Sequence, residues 1–464
     1  MKNPKIIFYS SIRDLFSLIS LGLSLGVAQL SQIVIGTTDT IMLGSLGGNE
    51  LAAGSLVNSI IIVFVLFGSG TLQALNPLMG AAFGRKNKFE IILIFRNSLL
   101  IATTCTLPLI IIAFMMKPIL TLFHQDPLLI SVASQYSLYL IPGFIPIFWL
   151  IPIHIYLITV SDRRQILQFS LLGIVLNLFL NYLLMFDSLG ISGLGIRGCA
   201  LSTSITNVSI LVLALISVMT RESAFIQRLL STKFRPSVIF SILKLGIPIG
   251  FVILSETLIL TIASLMMGSI SRNVLAAFSI SIQLLAIVYM IPIGFSNALT
   301  SKISFELGQQ NSRKILQLIY CSIFVVLIYL ISISIAFILF QDRLILMIYR
   351  EANSRIHEIA SSFIYYVIII QILNGLIVIL AGILRGFRET KSPLIIVFFI
   401  YWVLGCTLMY FLKMYFREYG VWIAIISSYS LAFIGISIEV KNKITNLSYI
   451  IKYITRKDSQ ILSE

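Results

Sequence analysis

Charge is what this sequence has least of. Asp, Glu, Lys and Arg make up 11% of its 464 residues, whereas a soluble globular chain carries about 25%. Water is therefore excluded as the main solvent, and with 58% hydrophobic residues no stretch remains for a sizeable soluble domain. Histidine is nearly missing, and His124, His154 and His357 stand far apart without H-E-x-x-H spacing. No G-x-S-x-G and no G-x-x-x-x-G-K-[ST] loop occurs, so serine hydrolysis and ATP-driven pumping lack their machinery. The cysteines, Cys105, Cys199, Cys321 and Cys406, lie in or beside apolar runs without C-x-x-C and read as small apolar packers.

What is present instead is apolar sequence in runs long enough to cross a hydrocarbon core, which takes about 20 residues per helix. Apolar runs set against turn and charge punctuation predict twelve spans, near 15–40, 51–80, 91–115, 128–158, 165–187, 196–218, 238–268, 274–304, 315–340, 356–384, 392–413 and 420–440. The first run, Leu15 to Thr38, is longer than the core of a cleavable signal and reads as a retained span, preceded by a basic, partly amphipathic segment, Met1 to Asp14. With both termini and the loops after even-numbered spans on one side, that side collects 25 of the 33 Lys and Arg. Basic residues near span ends stay in the cytoplasm, so the expectation is a multi-pass inner (plasma) membrane protein with cytoplasmic N- and C-termini. The net charge of +15 is spread singly and in pairs along loops, which argues against nucleic acid as a partner.

The chain also repeats itself. At an offset of 224 residues, LGLSLGVAQLS (21–31) meets LGIPIGFVILS (245–255), and IMLGSLGGNELAAGSL (41–56) meets LMMGSISRNVLAAFSI (265–280). Ala74 and Leu75 fall on Ala298 and Leu299, and Gly84 on Gly308. Two copies of a six-span unit follow: 1–220 and 238–440, joined by a cytoplasmic linker at 221–237 and followed by a tail at 441–464. Copies with an even number of spans share one orientation and are related by an axis along the membrane normal. Substrate then binds between two rocking halves, and a monomer suffices.

Ionisable groups within a bilayer are functional candidates by default. Glu256 lies deep in the seventh span and Asp39 nearer the end of the first, inside TTDT, whose three hydroxyls offer hydrogen bonds to either protonation state. Burial disfavours a charged carboxylate, which suits Glu256 to proton exchange; ionised, it equally suits a cationic substrate or Na+. Glu306, four residues after Lys302, fits a helix-face ion pair. Amides within spans must find a partner or line a wet cavity: Asn177 and Asn181 one turn apart, then Gln283, Gln371 and Asn374. Tyr289, Phe295, Tyr365 and Tyr366 offer aromatic faces to a flat organic cation.

Taken in order, TTDTIMLGSLGGNELAAGSL, NPLMGAAFGRKN, NLFLNYLLMF, GISGLGIRGCALST and AGILRGFRETKSP resemble the multidrug and toxic compound extrusion (MATE) family, within it the NorM-like branch, over essentially the whole chain. The resemblance implies an all-α integral membrane fold of twelve transmembrane helices in two pseudo-symmetric six-helix bundles, V-shaped and two-lobed. It also implies exchange of H+ or Na+ for amphipathic cationic drugs, with no cofactor. Asp39, Asn177 and Asn181 match the family's first-lobe proton or cation site, Glu256 its seventh-span acid, and Tyr289 an aromatic of its second-lobe cation site. Asn374 stands where NorM-like chains carry an Asp, which weakens the case for a sodium ion near Glu256 and tilts the expectation to proton coupling; no other metal is expected. A flippase for a lipid-linked amphiphile is the alternative, and calls for cationic groups in mid-span where this chain has acids, amides and aromatics. A membrane enzyme would need a catalytic loop that the short loops lack.

Overall fold

A computed structural model describes residues 4–159, 163–186, 193–221, 228–229, 231–348 and 354–451. Most of the expected 441–464 tail, 222–227 and 230 of the linker, the start of the GISGLG stretch and the first three residues lie outside the described residues.

Regular structure among the described residues is helical throughout: α1 (Pro4–Leu46), α2 (Gly48–Leu72), α3 (Leu75–Gly84), α4 (Lys88–Leu122), α5 (Pro127–Thr159), α6 (Arg163–Met185) and α7 (Ile196–Arg221) precede the linker. After it come α8 (Pro236–Gly268), α9 (Arg272–Gly308), α10 (Ser312–Ile348), α11 (Ser354–Gly386), α12 (Lys391–Val397), a π-helical stretch (Phe398–Gly405) and α13 (Cys406–Thr445). Among the described residues, eleven helical segments are long and apolar enough to span a bilayer. The last, Lys391–Thr445, is 55 residues long and holds the final two predicted spans, broken at Arg417 (φ 51°, ψ −128°). Large apolar side chains such as Phe114, Leu265 and Leu339 are exposed, a liability in water and the expected surface in lipid. The protein is an all-α, multi-span membrane protein.

The repeat is visible in the backbone. Lys86 and Gln310, 224 residues apart, both close a helix in the left-handed region at φ 58° and 60°. The next residue in each copy, Asn87 and Asn311, opens the following helix by accepting the amide of Glu90 (3.2 Å) or Lys314 (3.3 Å) on its side-chain oxygen, the usual work of an N-cap asparagine.

The described residues form two compact units. One holds residues up to Gly26 and from Phe251 onward; the other runs from Val27 to Gly250. The chain thus changes unit inside α1 and inside α8, at glycines 224 positions apart, whereas sequence organisation alone puts the boundary in the linker. The cause is close helix packing of small residues. On α1, Gly22 and Gly26 meet Gly294 of α9, where an added Cβ would stand 2.5 Å from the Gly22 carbonyl oxygen and the Gly26 Cα. Their counterparts on α8, Gly246 and Gly250, meet α2: a Cβ on Gly250 would lie 2.7 Å from the Phe67 carbonyl oxygen, and one on Gly246 would overlap the Thr71 carbonyl. Within the Val27–Gly250 unit the linker is also seated. Arg96 of α4 stacks on Phe234 at 4.7 Å and donates to the Leu229 carbonyl, while Asn97 accepts the Arg235 amide at 3.0 Å.

Past the end of α11, Glu389 accepts from Lys443 of α13 at 2.8 Å and from the Ser392 amide at 3.3 Å. Burial pushes the Glu389 carboxyl up, but the Lys443 hydrogen bond and charge together with Ser392 outweigh it and hold the carboxyl below its usual range. A carboxyl lowered on folding stabilises above its unfolded value and loses that contribution as pH falls through the folded one. Lys443→Met is therefore expected to lower thermal stability by up to about 1 kcal/mol at neutral pH and by nothing measurable near pH 3; an equal loss at both pH values would assign the effect to packing.

Candidate functional site

In the Val27–Gly250 unit, three helices converge on Asp39. It sits on α1, and although close to the helix end it is only 6% exposed. Asn181 on α6 donates to its Oδ1 at 2.6 Å, and Thr203 on α7 donates to its Oδ2 at 2.9 Å. Behind this layer, Asn181 Nδ2 also reaches Asn177 Oδ1 at 3.3 Å, Asn177 donates to Thr203 at 3.5 Å, and Ser202 donates to Asn181 Oδ1. Asn177 and Asn181 lie on one face because they are four residues apart, and both are fully buried.

The sequence-expected trio of Asp39, Asn177 and Asn181 is thus one hydrogen-bonded cluster, but the hydroxyl on the carboxylate is not the expected one. Adjacent residues of a helix point in different directions, so Thr40 turns away, exposed, and donates to the Gly36 carbonyl at 2.8 Å. Thr203 takes the place of the TTDT hydroxyls on the carboxylate, and Ser202 holds Asn181 behind it; both lie within GCALST, where the sequence shows no charge or periodicity to mark them.

In the other unit, Glu256 projects from the middle of α8, and Tyr289 of α9 donates to its Oε2 at 3.1 Å. Beside it, Trp402 of the π-helical stretch donates to Ser255 at 3.1 Å. Tyr401 and Tyr429 are fully buried, with ring centroids 5.3 Å apart. Among the described residues their hydroxyls have no hydrogen-bond partner, and both lie within electrostatic reach of Glu256. So does Arg385, which sequence reasoning counts among the loop cations; its guanidinium donates to Ser296 of α9 at 2.8 Å.

The remaining expected cavity residues divide. Gln371 faces α10, donating to Ser334 Oγ at 2.8 Å and the Leu330 carbonyl at 3.3 Å, which is a packing role. Asn374 is buried, and its side-chain oxygen has no partner among the described residues. Gln283 is partly exposed, and no hydrogen bond among the described residues joins it to Glu256. Phe295 is buried against Gly22 and Tyr366 stacks on Trp422 at 5.8 Å, so both serve packing, whereas Tyr365 is exposed. Glu306 pairs with Lys314 at 3.5 Å, and Lys302 reaches Ser17 at 2.7 Å.

The MatE family model matches the chain twice, at residues 24–183 and 248–411, with starts 224 positions apart. The protein belongs to the MatE family. It is a transporter, not an enzyme. It is 28% identical over 405 residues to the probable multidrug resistance protein NorM of Bacillus cereus, spanning 86% of this chain and 89% of that one. To the same-named protein of Agrobacterium fabrum it is 29% identical over 432 residues, 90% and 92% of the two chains. Solved MATE structures share the fold. A multidrug resistance MATE transporter of the MOP superfamily in an outward-facing conformation superposes with a TM-score of 0.85 at 17% identity, over 93% of this chain and 96% of that one. A eukaryotic MATE transporter gives 0.81 at 18% identity, over 95% and 99%.

Proposed function

We propose that this MatE protein exports amphipathic organic cations in exchange for protons across the inner membrane, with its termini in the cytoplasm. The observation that carries the reading is the Asp39 cluster. A carboxylate almost excluded from solvent, with neutral donors on both oxygens, can shed or take a proton without losing its partners, because Thr203 can reverse its hydroxyl. Glu256 with Tyr289 offers a second such carboxylate in the other repeat. The NorM names of the relatives support drugs as substrates, and Asn374 in place of a second acid supports protons over sodium.

Efflux of ethidium from proteoliposomes, driven separately by a proton gradient and by a sodium gradient, tests this directly. Proton-driven efflux is expected in the native protein and is lost in Glu256→Gln or Asp39→Asn. Efflux that needs sodium would replace the proton in this reading, and no gradient-driven movement of any cationic dye would sink it in favour of a flippase.

A further inference from the structure

In the Val27–Gly250 unit, Arg96 and Lys244 stand on helix faces that are otherwise apolar and turned to lipid. On α4, Leu100, Leu107, Ile111 and Phe114 are exposed at helical spacing, which marks the side this helix shows to the bilayer. One turn before Leu100 that side arrives at Arg96. Its guanidinium is held there, stacked on the Phe234 ring at 4.7 Å and donating to the Leu229 carbonyl. Phe234 is half exposed, and Lys233 beside it is exposed. The bond from the Arg235 amide to Asn97 brings the start of α8 to the same corner. On α8, Phe240 and Ile247 are exposed, and Lys244 lies between them on that face, exposed and within the apolar span Pro236–Gly268.

A lysine facing hydrocarbon is costly unless its ammonium reaches the interface and a counter-charge. Lys244 is about 13 Å along α8 from Arg235. Both α4 and α8 begin on the linker side, and helical Cα–Cβ bonds tilt toward the N-terminus, so both long side chains lean back to the headgroup layer at the linker. The other repeat has the same faces without the charges. Phe16 takes the position of Phe240, Ser20 that of Lys244 and Tyr320 that of Arg96, and all three are exposed. Contact with lipid tails is thus met by neutral residues, and orientation of the chain by loop cations; neither calls for a lysine inside α8.

We propose that this corner seats one anionic phospholipid of the linker-side leaflet, its phosphate between Arg96 and Lys244 with Lys233 at the rim, its acyl chains along Leu100 and Phe240. Basic pockets between spans suit anionic headgroups, and a guanidinium already oriented by a ring and a carbonyl meets a phosphate at little ordering cost. A zwitterionic headgroup brings its own cation and gains no net attraction. Bound here, the lipid bridges α4, the linker and α8, where the chain passes from one repeat to the next. The inference needs only the membrane fold and stands apart from the transported ion and drug.

The test titrates the detergent-solubilised full chain with phosphatidylglycerol or phosphatidylcholine, reading the rise in thermal midpoint and the lipid retained in native mass spectrometry. The native protein should keep one phosphatidylglycerol and no phosphatidylcholine. Lys244→Ser, a change on an exposed face to what the other repeat carries, should lower apparent phosphatidylglycerol affinity about fivefold, the weight of one basic residue at an anionic surface. Arg96→Gln should lower it at least as much, and Lys244→Ser decides the matter if Arg96→Gln fails to fold. Lys86→Ser, at an exposed lysine on the same side of the membrane but outside α4 and α8, should leave it unchanged. Undiminished affinity in Lys244→Ser, or an equal loss in Lys86→Ser, would overturn the site. Inorganic phosphate that stabilises as well as phosphatidylglycerol would overturn the lipid as its ligand.

Discussion

Alanine at Gly294 should destabilise the protein by about 1–3 kcal/mol, although it adds a single methyl group. The new Cβ would stand 2.5 Å from the Gly22 carbonyl oxygen and the Gly26 Cα, backbone atoms that cannot rotate aside. α1 and α9 must therefore separate, and Ile291 and Phe295, which lie against Gly26 and Gly22, lose their contacts with them. Helix propensity alone predicts the opposite sign, because Gly to Ala inside a helix gains about 0.5–1 kcal/mol. Gly36→Ala provides the control on α1 itself: nothing lies within 4 Å of a Cβ there, so it should be neutral or slightly stabilising. Gly246→Ala, at the counterpart of Gly22 and packed against the Thr71 carbonyl, should behave as Gly294→Ala does. Thermal loss of the monodisperse species in detergent reads all three, and equal midpoints for Gly294→Ala and Gly36→Ala would show the seam to be loose.

The same glycines show how far the sequence could be read. Gly22 and Gly26 against Gly246 and Gly250 expose the duplication at a glance, and the repeat register places the helix-opening residues Asn87 and Asn311 in both copies. What LGLSLG and LGIPIG do not say is which helix fills each small-residue groove, because nothing along α1 records that its partner is Gly294 on α9. The candidate site divides in the same way. Acids and amides within apolar runs announce themselves by their cost, so Asp39, Asn177, Asn181 and Glu256 are legible from sequence. Neutral hydroxyls carry no such cost in a span: Ser and Thr commonly bond their own helix, as Thr40 does with Gly36, so Thr203 is indistinguishable from its neighbours until α7 meets α1. Arg385 misleads for another reason. Its Cα lies at a span end, where basic residues set topology, and only its long side chain reaches the interior. Gln371 misleads in the reverse sense, an amide whose partners lie on the adjacent α10.

Asp39→Asn and Asp39→Ala should separate stability from transport at the first-repeat cluster. In Asp39→Asn the new oxygen can keep the Asn181 Nδ2 donor and the new NH2 can donate to Thr203, whose oxygen accepts while its proton turns elsewhere. The network survives with a loss of no more than about 1 kcal/mol, yet the group can no longer exchange a proton. Gradient-driven efflux should fall on the order of tenfold or more, the size of a typical coupling free energy. In Asp39→Ala both the Asn181 amide and the Thr203 hydroxyl lose their acceptor in a buried site, at about 1–3 kcal/mol each, so thermal stability should fall along with transport. Thr203→Val tests the Thr203 donor from the other side: it takes the hydroxyl from Asp39 Oδ2 and is expected to lower stability by about 1–3 kcal/mol. Melting midpoints beside efflux rates check these outcomes. Asp39→Asn protein that is fully folded and pumps at the native rate would remove Asp39 from the coupling path and leave that work to Glu256.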